Sequence, residues 1–366
     1  MPRTPIVQHP PPIDLSLFTL DELDFILRKI KNNRSPGPDS IPSEFWKWTS
    51  PTFRDHILAL LNNCFMGASS PEEWNEAHIV AILKQQKDPL LPESFRPIAL
   101  CDAIYKIYAA LLQRRLALAL DDSLRTSQYG FRSKKSTSQP IFILRQVLDL
   151  HERRQGRMHF LFLDWSKAFD SITHENIEIA LSRYEIPEPF VKAVTALYRS
   201  PTFRVKNGSD LSSLHVQQRG IRQGCPLSPY LFIIVLSCLM HDVEEEFTHR
   251  YELLPNPFSA SSPLWDLEYA DDTVLFSPNP ITLQNSYISC STMPPELAFT
   301  STLKNANTSN STRILTFTSV TQRKDNANAA RVFMVRPSLW APPSQFLKLL
   351  STWEYISPKK PAPKRI

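Results

Sequence analysis

The 366-residue chain is 42% hydrophobic, with a formal net charge of +5 and an isoelectric point near 8.9. That is enough apolar content for a sizeable core and two or three subdomains, while the mild positive excess permits a polyanionic partner without proving one. Five cysteines (Cys64, Cys101, Cys225, Cys238, Cys290) form no CxxC pair, which argues against a disulfide framework or a zinc site; the longest apolar run, "YLFIIVLSCLM" at 230–240, is too short to span a bilayer and no signal-like N-terminus precedes it. An intracellular soluble protein with no membrane partner is the expectation.

The opening "MPRTPIVQHPPP" is Pro-rich and reads as extended through residues 1–18. Thr19 and Glu22 then form a capping box, and Leu23, Ile26, Leu27 and Ile30 follow at helical spacing. Pro36, Gly37 and Pro38 in "KNNRSPGPDSIP" force a turn. "HIVAIL" at 78–83 predicts a strand leading into basic "KQQK", and "AIYKIYAALLQRRLALAL" predicts an amphipathic helix. Its Lys106, Arg114 and Arg115 suit a phosphate backbone, although on spacing alone a solvated face is the simpler reading.

In "MHFLFLDWSKAFDSI" the nearly continuous apolar run is the mark of a strand buried on both faces, with Asp164 at its C-terminal end. Alone, that Asp would serve as a helix cap. Next comes "RGIRQGCPLSPYLF", where Gly220 and Gly224 let the backbone pass close to a ligand, Gln223 offers a donor and an acceptor, and Pro226 and Pro229 suit the first turn of a helix. In "DLEYADDTVLFS" the arms "LEYA" and "TVLF" predict a hairpin with Ala270, Asp271 and Asp272 at its tip. An isolated Asp-Asp pair is most simply a solvated turn. Together with Asp164, however, it makes three carboxylates on two β elements, the donor set of a two-metal phosphoryl-transfer site.

Beyond residue 277 the pattern changes. The chain has seven Gly against 32 Pro, none of the Gly after Gly224, and about half of residues 282–321 are Ser, Thr or Asn. That composition predicts an irregular or disordered segment over 282–345, ahead of a basic, Pro-rich tail.

Six stretches in order carry a resemblance: "SPGPDSIPSEFWK", "SFRPIALCDAIYKIYAALLQRRL", "SQYGFRSKKST", "FLDWSKAFDSI", "GIRQGCPLSP" and "YADD". Across roughly residues 20–280 the chain resembles the reverse transcriptase domain of non-LTR (LINE-like) retrotransposons. The resemblance implies an α+β fold, a right-hand polymerase palm and fingers, with the thumb absent or degenerate. It divides the chain into an extended N-terminal segment (1–18), fingers and the start of the palm (19–158), palm with catalytic motifs (159–281), an irregular or disordered segment of the kind a disturbed reading frame produces (282–345) and a primer-grip-like remnant with a basic tail (346–366).

The implied function is RNA-directed DNA polymerase, a nucleotidyltransferase that uses an RNA template, a DNA primer and deoxynucleoside triphosphates, with two Mg²⁺ ions for which Mn²⁺ substitutes. Asp164, Asp271 and Asp272 match the catalytic metal ligands. Phe169 matches the aromatic gate against a ribose 2′-OH, Gln223 a contact near the base-pairing region, and Arg96, Arg132 and, more loosely, Lys84 the basic fingers positions. A nuclear location follows if the chain acts as a retrotransposon enzyme. The alternative is a catalytically inactive relic that still binds nucleic acid: after "VLFS" the family's helix, basic motif and Gly-containing primer grip are not matched, and Lys304 is a doubtful counterpart of the basic residue.

Overall fold

The structure, a computed structural model, describes residues 5–7, 9–85, 87–153, 158–165, 168–248, 264–292 and 331–335. In chain order the elements are α1 (Leu20–Lys29), α2 (Ser43–Lys47), α3 (Pro51–Gly67), β1 (Glu76–Leu83), β2 (Phe95–Leu100), α4 (Ala103–Leu120), α5 (Ser138–Arg153), β3 (Met158–Asp164), α6 (Ala168–Ser171) and α7 (His174–Arg183). There follow α8 (Glu188–Ala196), β4 (Thr202–Asn207), β5 (Asp210–Leu211), β6 (His215–Val216), α9 (Ser228–Thr248), β7 (Asp266–Tyr269), β8 (Asp272–Ser277), α10 (Pro280–Thr292) and β9 (Arg331–Val335). Two compact units result: among the described residues, the first comprises those up to 124 and 168–241, the second 125–165, 242–292 and 331–335.

The first unit holds a sheet in the order β2-β1-β4-β5, with β6 also paired to β4; β1 runs antiparallel to β2 and parallel to β4. The capping box forms as the sequence predicts, with Thr19 and Glu22 each accepting the other's backbone N–H, and Leu23, Ile26 and Leu27 of α1 are buried. The apolar run of α9 is buried throughout residues 230–240, and no helix among the described residues is long and apolar enough to cross a membrane. All five cysteines are buried thiols outside any disulfide.

Arg115 departs from both sequence readings. It is 3% exposed, and its guanidinium donates to Glu22 Oε1 at 2.9 Å and Glu22 Oε2 at 2.8 Å, and to the carbonyls of Asp14 at 3.2 Å, Leu17 at 3.1 Å and Ser16. This cation therefore ties α4 to α1 and to the extended segment before it. Spacing along one helix cannot reveal such a role, because the partners lie about a hundred residues upstream.

The second unit is an antiparallel sheet ordered β7-β8-β3-β9. Its core joins Ile141, Leu144 and Val147 of α5 to Met158 and Phe160 of β3, Leu267 of β7, and Val274 and Phe276 of β8. As an interior strand, β3 has its backbone polar groups paired on both edges, which suits its unbroken apolar sequence.

The irregular segment expected from residue 282 begins instead inside a helix. Asn279 caps α10, its side-chain oxygen accepting the Ile281 N–H at 2.9 Å, and Pro280 occupies the first turn. Ser286 Oγ donates to the Thr282 carbonyl at 3.0 Å, so a hydroxyl that would otherwise compete with the helix is absorbed by it, and Leu283 and Cys290 are buried. Residues 331–335 likewise form a strand against β3. The rest of that segment, and the primer-grip-like stretch after 346, lie outside the described residues.

Candidate active site

The register of the second sheet places the acidic residues. Along β3 and β8 the paired residues run from His159 opposite Ser277 to Asp164 opposite Asp272. Residues directly opposed across antiparallel strands have Cα atoms about 4.5–5.5 Å apart. The β7–β8 hairpin closes on the pair Tyr269 and Asp272, so its loop has two residues, Ala270 and Asp271, where the sequence suggested three at the tip. Asp271 is thus the loop residue next to Asp272, which opens β8 across from the last residue of β3. Both are half-buried.

Like charges directly opposed across a sheet destabilise it unless a cation intervenes. Diagonally across this pair, Trp165, which follows β3, donates from Nε1 to Thr273 Oγ1 at 3.0 Å, and both residues are buried. Carboxylates gathered at adjoining backbone positions, with only oxygen donors, form a set that fits a hard divalent ion such as Mg²⁺.

Beneath the hairpin lies a buried charge cluster that the sequence reading passed over. Asp266 and Glu268 stand two apart on β7 and are almost wholly buried. Arg125 Nη2 lies 2.7 Å from Asp266 Oδ1, its Nε 3.4 Å from Glu268 Oε1, and its Nη1 pairs with Glu244. Burial works against the Arg125 charge, but the carboxylates of Asp266, Glu244 and Glu268 outweigh it and hold the cation protonated. Burial, followed by the neighbouring Asp266, pushes Glu268 well above the usual carboxylate range despite Arg125. The alternation of Asp266 and Glu268 in "DLEY" was the available signal, since it puts both on one strand face.

Arg132, expected among the nucleotide-binding cations, donates from Nη1 to the carbonyls of Arg125 at 2.9 Å and Gln128 at 3.0 Å. Its visible contacts brace the loop that carries it.

In the first unit, Phe169 of α6 stacks on Phe232 of α9, with centroids 4.5 Å apart and planes at 18°. The stretch 220–224 is stitched to the 169–172 turn: Ile221 N donates to the Phe169 carbonyl at 2.8 Å, and Gly220 N to the Ile172 carbonyl at 2.6 Å. Gln223 Nε2 donates to Asp170 Oδ1 at 3.0 Å, while the Gln223 carbonyl accepts the Ala99 N–H of β2 at 2.8 Å. Glycine is required at 224, where φ is +145° and a Cβ would stand 2.3 Å from the Ala99 carbonyl oxygen. Phe169 and Gln223 therefore belong to one rigid module.

Arg222, adjacent to Gln223, is buried; it donates to the carbonyls of Trp74 at 2.8 Å and of Asn75, and lies over the Tyr105 ring at 5.0 Å. Arg96 and Lys84 share the β1–β2 hairpin, Arg96 exposed opposite Ile82 and Lys84 donating from Nζ to the Glu93 carbonyl at 2.8 Å.

Residues 82–298, more than half of the chain, match the family described as "Reverse transcriptase (RNA-dependent DNA polymerase)". Among curated proteins, the "Transposon TX1 uncharacterized 149 kDa protein" of Xenopus laevis is 28% identical over 269 residues, which are 74% of this chain and 20% of that protein. The "Probable RNA-directed DNA polymerase from transposon BS" of Drosophila melanogaster is 26% identical over 279 residues, 73% of this chain and 29% of the relative. The "Retrovirus-related Pol polyprotein from type-2 retrotransposable element R2DM" of the same fly is 28% identical over 265 residues, 72% and 24% of the two chains. The chain thus spans less than a third of the length of each of these relatives.

Proposed function

Because the chain belongs to the reverse transcriptase family, with relatives among the non-LTR retrotransposons, we propose that it adds deoxynucleotides to a primer 3′-OH on an RNA template. The observation that carries this reading is the register that sets Asp164 opposite Asp272, with Asp271 in the adjoining turn.

Asp164, Asp271 and Asp272 would hold two Mg²⁺ ions, with Mn²⁺ as a substitute. Such ions, when bound, favour ionisation of an attacking hydroxyl and offset the charge of a leaving pyrophosphate. The chain's own groups position and neutralise. Phe169, held against Phe232, fills the space that a ribose 2′-hydroxyl would need. Gln223, oriented by Asp170, contacts the nascent base pair, and Arg96, Lys84 and Arg132 supply positive charge to triphosphate and template. Base pairing carries the sequence information, so binding is driven by the nucleic-acid backbone and weakens with salt.

The Ser-, Thr- and Asn-rich composition after residue 282 supports a thumb that is absent or degenerate; a thumb motif in another reading frame of the encoding DNA would identify a disturbed frame. A retrotransposon enzyme of this kind works where its target DNA lies, in the nucleus.

The test is primer extension by the purified chain on poly(rA)·oligo(dT) with Mg²⁺ or Mn²⁺. Incorporation that is lost in Asp271→Asn supports the reading. Nucleic-acid binding without incorporation in either metal identifies a relic instead.

A further inference from the structure

The catalytic turn is gripped by a residue from a distant stretch of chain. Gln128 is 0% exposed. Its Oε1 accepts the N–H of Ala270 at 2.9 Å and of Gly130 at 2.7 Å, while Nε2 donates to Glu268 Oε2 at 2.8 Å and reaches the Ala270 carbonyl at 3.4 Å. A primary amide has two donors and two acceptor sites, and here all four are directed. The amide cannot be reversed, because two backbone N–H groups face its oxygen.

The backbone around Gln128 runs alongside β7: Glu268 N donates to the Ser127 carbonyl and Tyr129 N to the Glu268 carbonyl, each at 2.8 Å. At Gly130 the approach is so close that a Cβ would lie 2.2 Å from Ala270 N.

Ala270 needs this support. It is the first residue of a two-residue hairpin loop and has φ of +58°, a position that Gly usually fills and that costs a residue with a Cβ on the order of 1 kcal/mol. Rotation of either peptide flanking Ala270 displaces Asp271, which follows directly, and then Asp272.

We propose that Gln128 is a positioning residue for the metal-binding turn: its amide clamps the peptides on either side of Ala270 and so fixes where Asp271 and Asp272 stand. The link to metal rests on the polymerase reading above; the clamp itself rests on geometry alone.

Three measurements on the full chain separate the two, using wild type, Gln128→Met, which keeps the bulk and loses the amide, and Gln128→Glu, which keeps the acceptor for Ala270 N–H. They are amide hydrogen exchange at Ala270 and Asp271, Mn²⁺ affinity from the EPR signal of the free ion, and the Mg²⁺ concentration for half-maximal primer extension. In Gln128→Met, exchange at Ala270 is expected to rise tenfold or more, Mn²⁺ affinity to fall about tenfold and the Mg²⁺ requirement to rise about tenfold, with the KM for deoxynucleotide unchanged. Gln128→Glu should retain Ala270 protection and lose at most threefold in Mn²⁺ affinity.

Exchange and Mn²⁺ affinity within twofold of wild type in Gln128→Met would overturn the proposal. If that variant does not fold, Gln128→Asn, which withdraws the amide by one methylene, decides: raised exchange at Ala270 supports the clamp, and protection within twofold of wild type overturns it. A wild type that binds no Mn²⁺ or incorporates no nucleotide refutes the polymerase reading, while hydrogen exchange still decides the clamp.

Discussion

Gly130→Ala is the smallest change that should displace the β7–β8 turn from outside it. Gly130 has no left-handed backbone requirement, since the positive-φ glycines are Gly208, Gly220 and Gly224. Alanine is therefore acceptable to its backbone, and only space opposes it. The new Cβ would meet Ala270 N at 2.2 Å and Ala270 Cα at 2.7 Å, against an ordinary contact of 3.4 Å or more. The deficit, 3.4 minus 2.2, is about 1.2 Å, and both atoms are backbone atoms of the turn, so no flexible side chain can absorb it.

A displacement of about 1 Å in a reacting constellation costs roughly 100-fold in rate, and overpacking costs about 1–3 kcal/mol of stability. We expect the rate constant for single-nucleotide extension at saturating substrate to fall about 100-fold, and the melting temperature by several degrees. Gly67→Ala serves as control, because its only close neighbour is the Ser69 hydroxyl at 3.2 Å, which can rotate away. A Gly130→Ala enzyme within about threefold of wild type would refute the steric reasoning.

Three further outcomes are expected. Phe169→Val should raise ribonucleotide incorporation on the order of tenfold while sparing deoxynucleotide use, and unchanged discrimination would reject the gate. Glu22→Ala strips the main counter-charge from buried Arg115 and should cost about 3 kcal/mol in urea unfolding; a loss below about 1 kcal/mol would mean that the carbonyls alone suffice. Burial first, then the neighbouring Asp39 carboxylate, raises Asp102 from 3.8 to about 6. A raised carboxylate favours folding below its unfolded value, and that contribution is lost as pH climbs from about 4 to about 6. Asp102→Asn should therefore gain roughly 1–2 kcal/mol over wild type at pH 7 and little at pH 4, and an equal offset at both would contradict the assignment.

What the sequence revealed divides along physical lines. The α1 capping box, the β3 strand and the β7–β8 hairpin are local patterns in which each residue's neighbours in sequence are also its neighbours in space. The helix α10 carried a local signal too, Asn279 followed by Pro280, but the surrounding Ser and Thr content masked it, because their burial and internal hydrogen bonding depend on tertiary context. Arg115 and Gln128 were opaque for another reason: each acts on backbone groups roughly a hundred or more residues away, and no periodicity encodes that. In the site, the motif spacing pointed to the three aspartates, whereas for the Arg125, Asp266 and Glu268 cluster only the alternation in "DLEY" was a local signal, and Arg125, about 140 residues upstream, gave none.

The central claim is that carboxylates from the end of β3 and from the β7–β8 turn make one metal site. A crystal structure of the full chain soaked in Mn²⁺, with anomalous scattering locating the ions, tests it most directly. The account predicts two peaks about 3.5–4 Å apart, ligated by Asp164, Asp271 and Asp272. An Asp164 carboxylate more than roughly 8 Å from both others, beyond what two bridged ions can span, would contradict it.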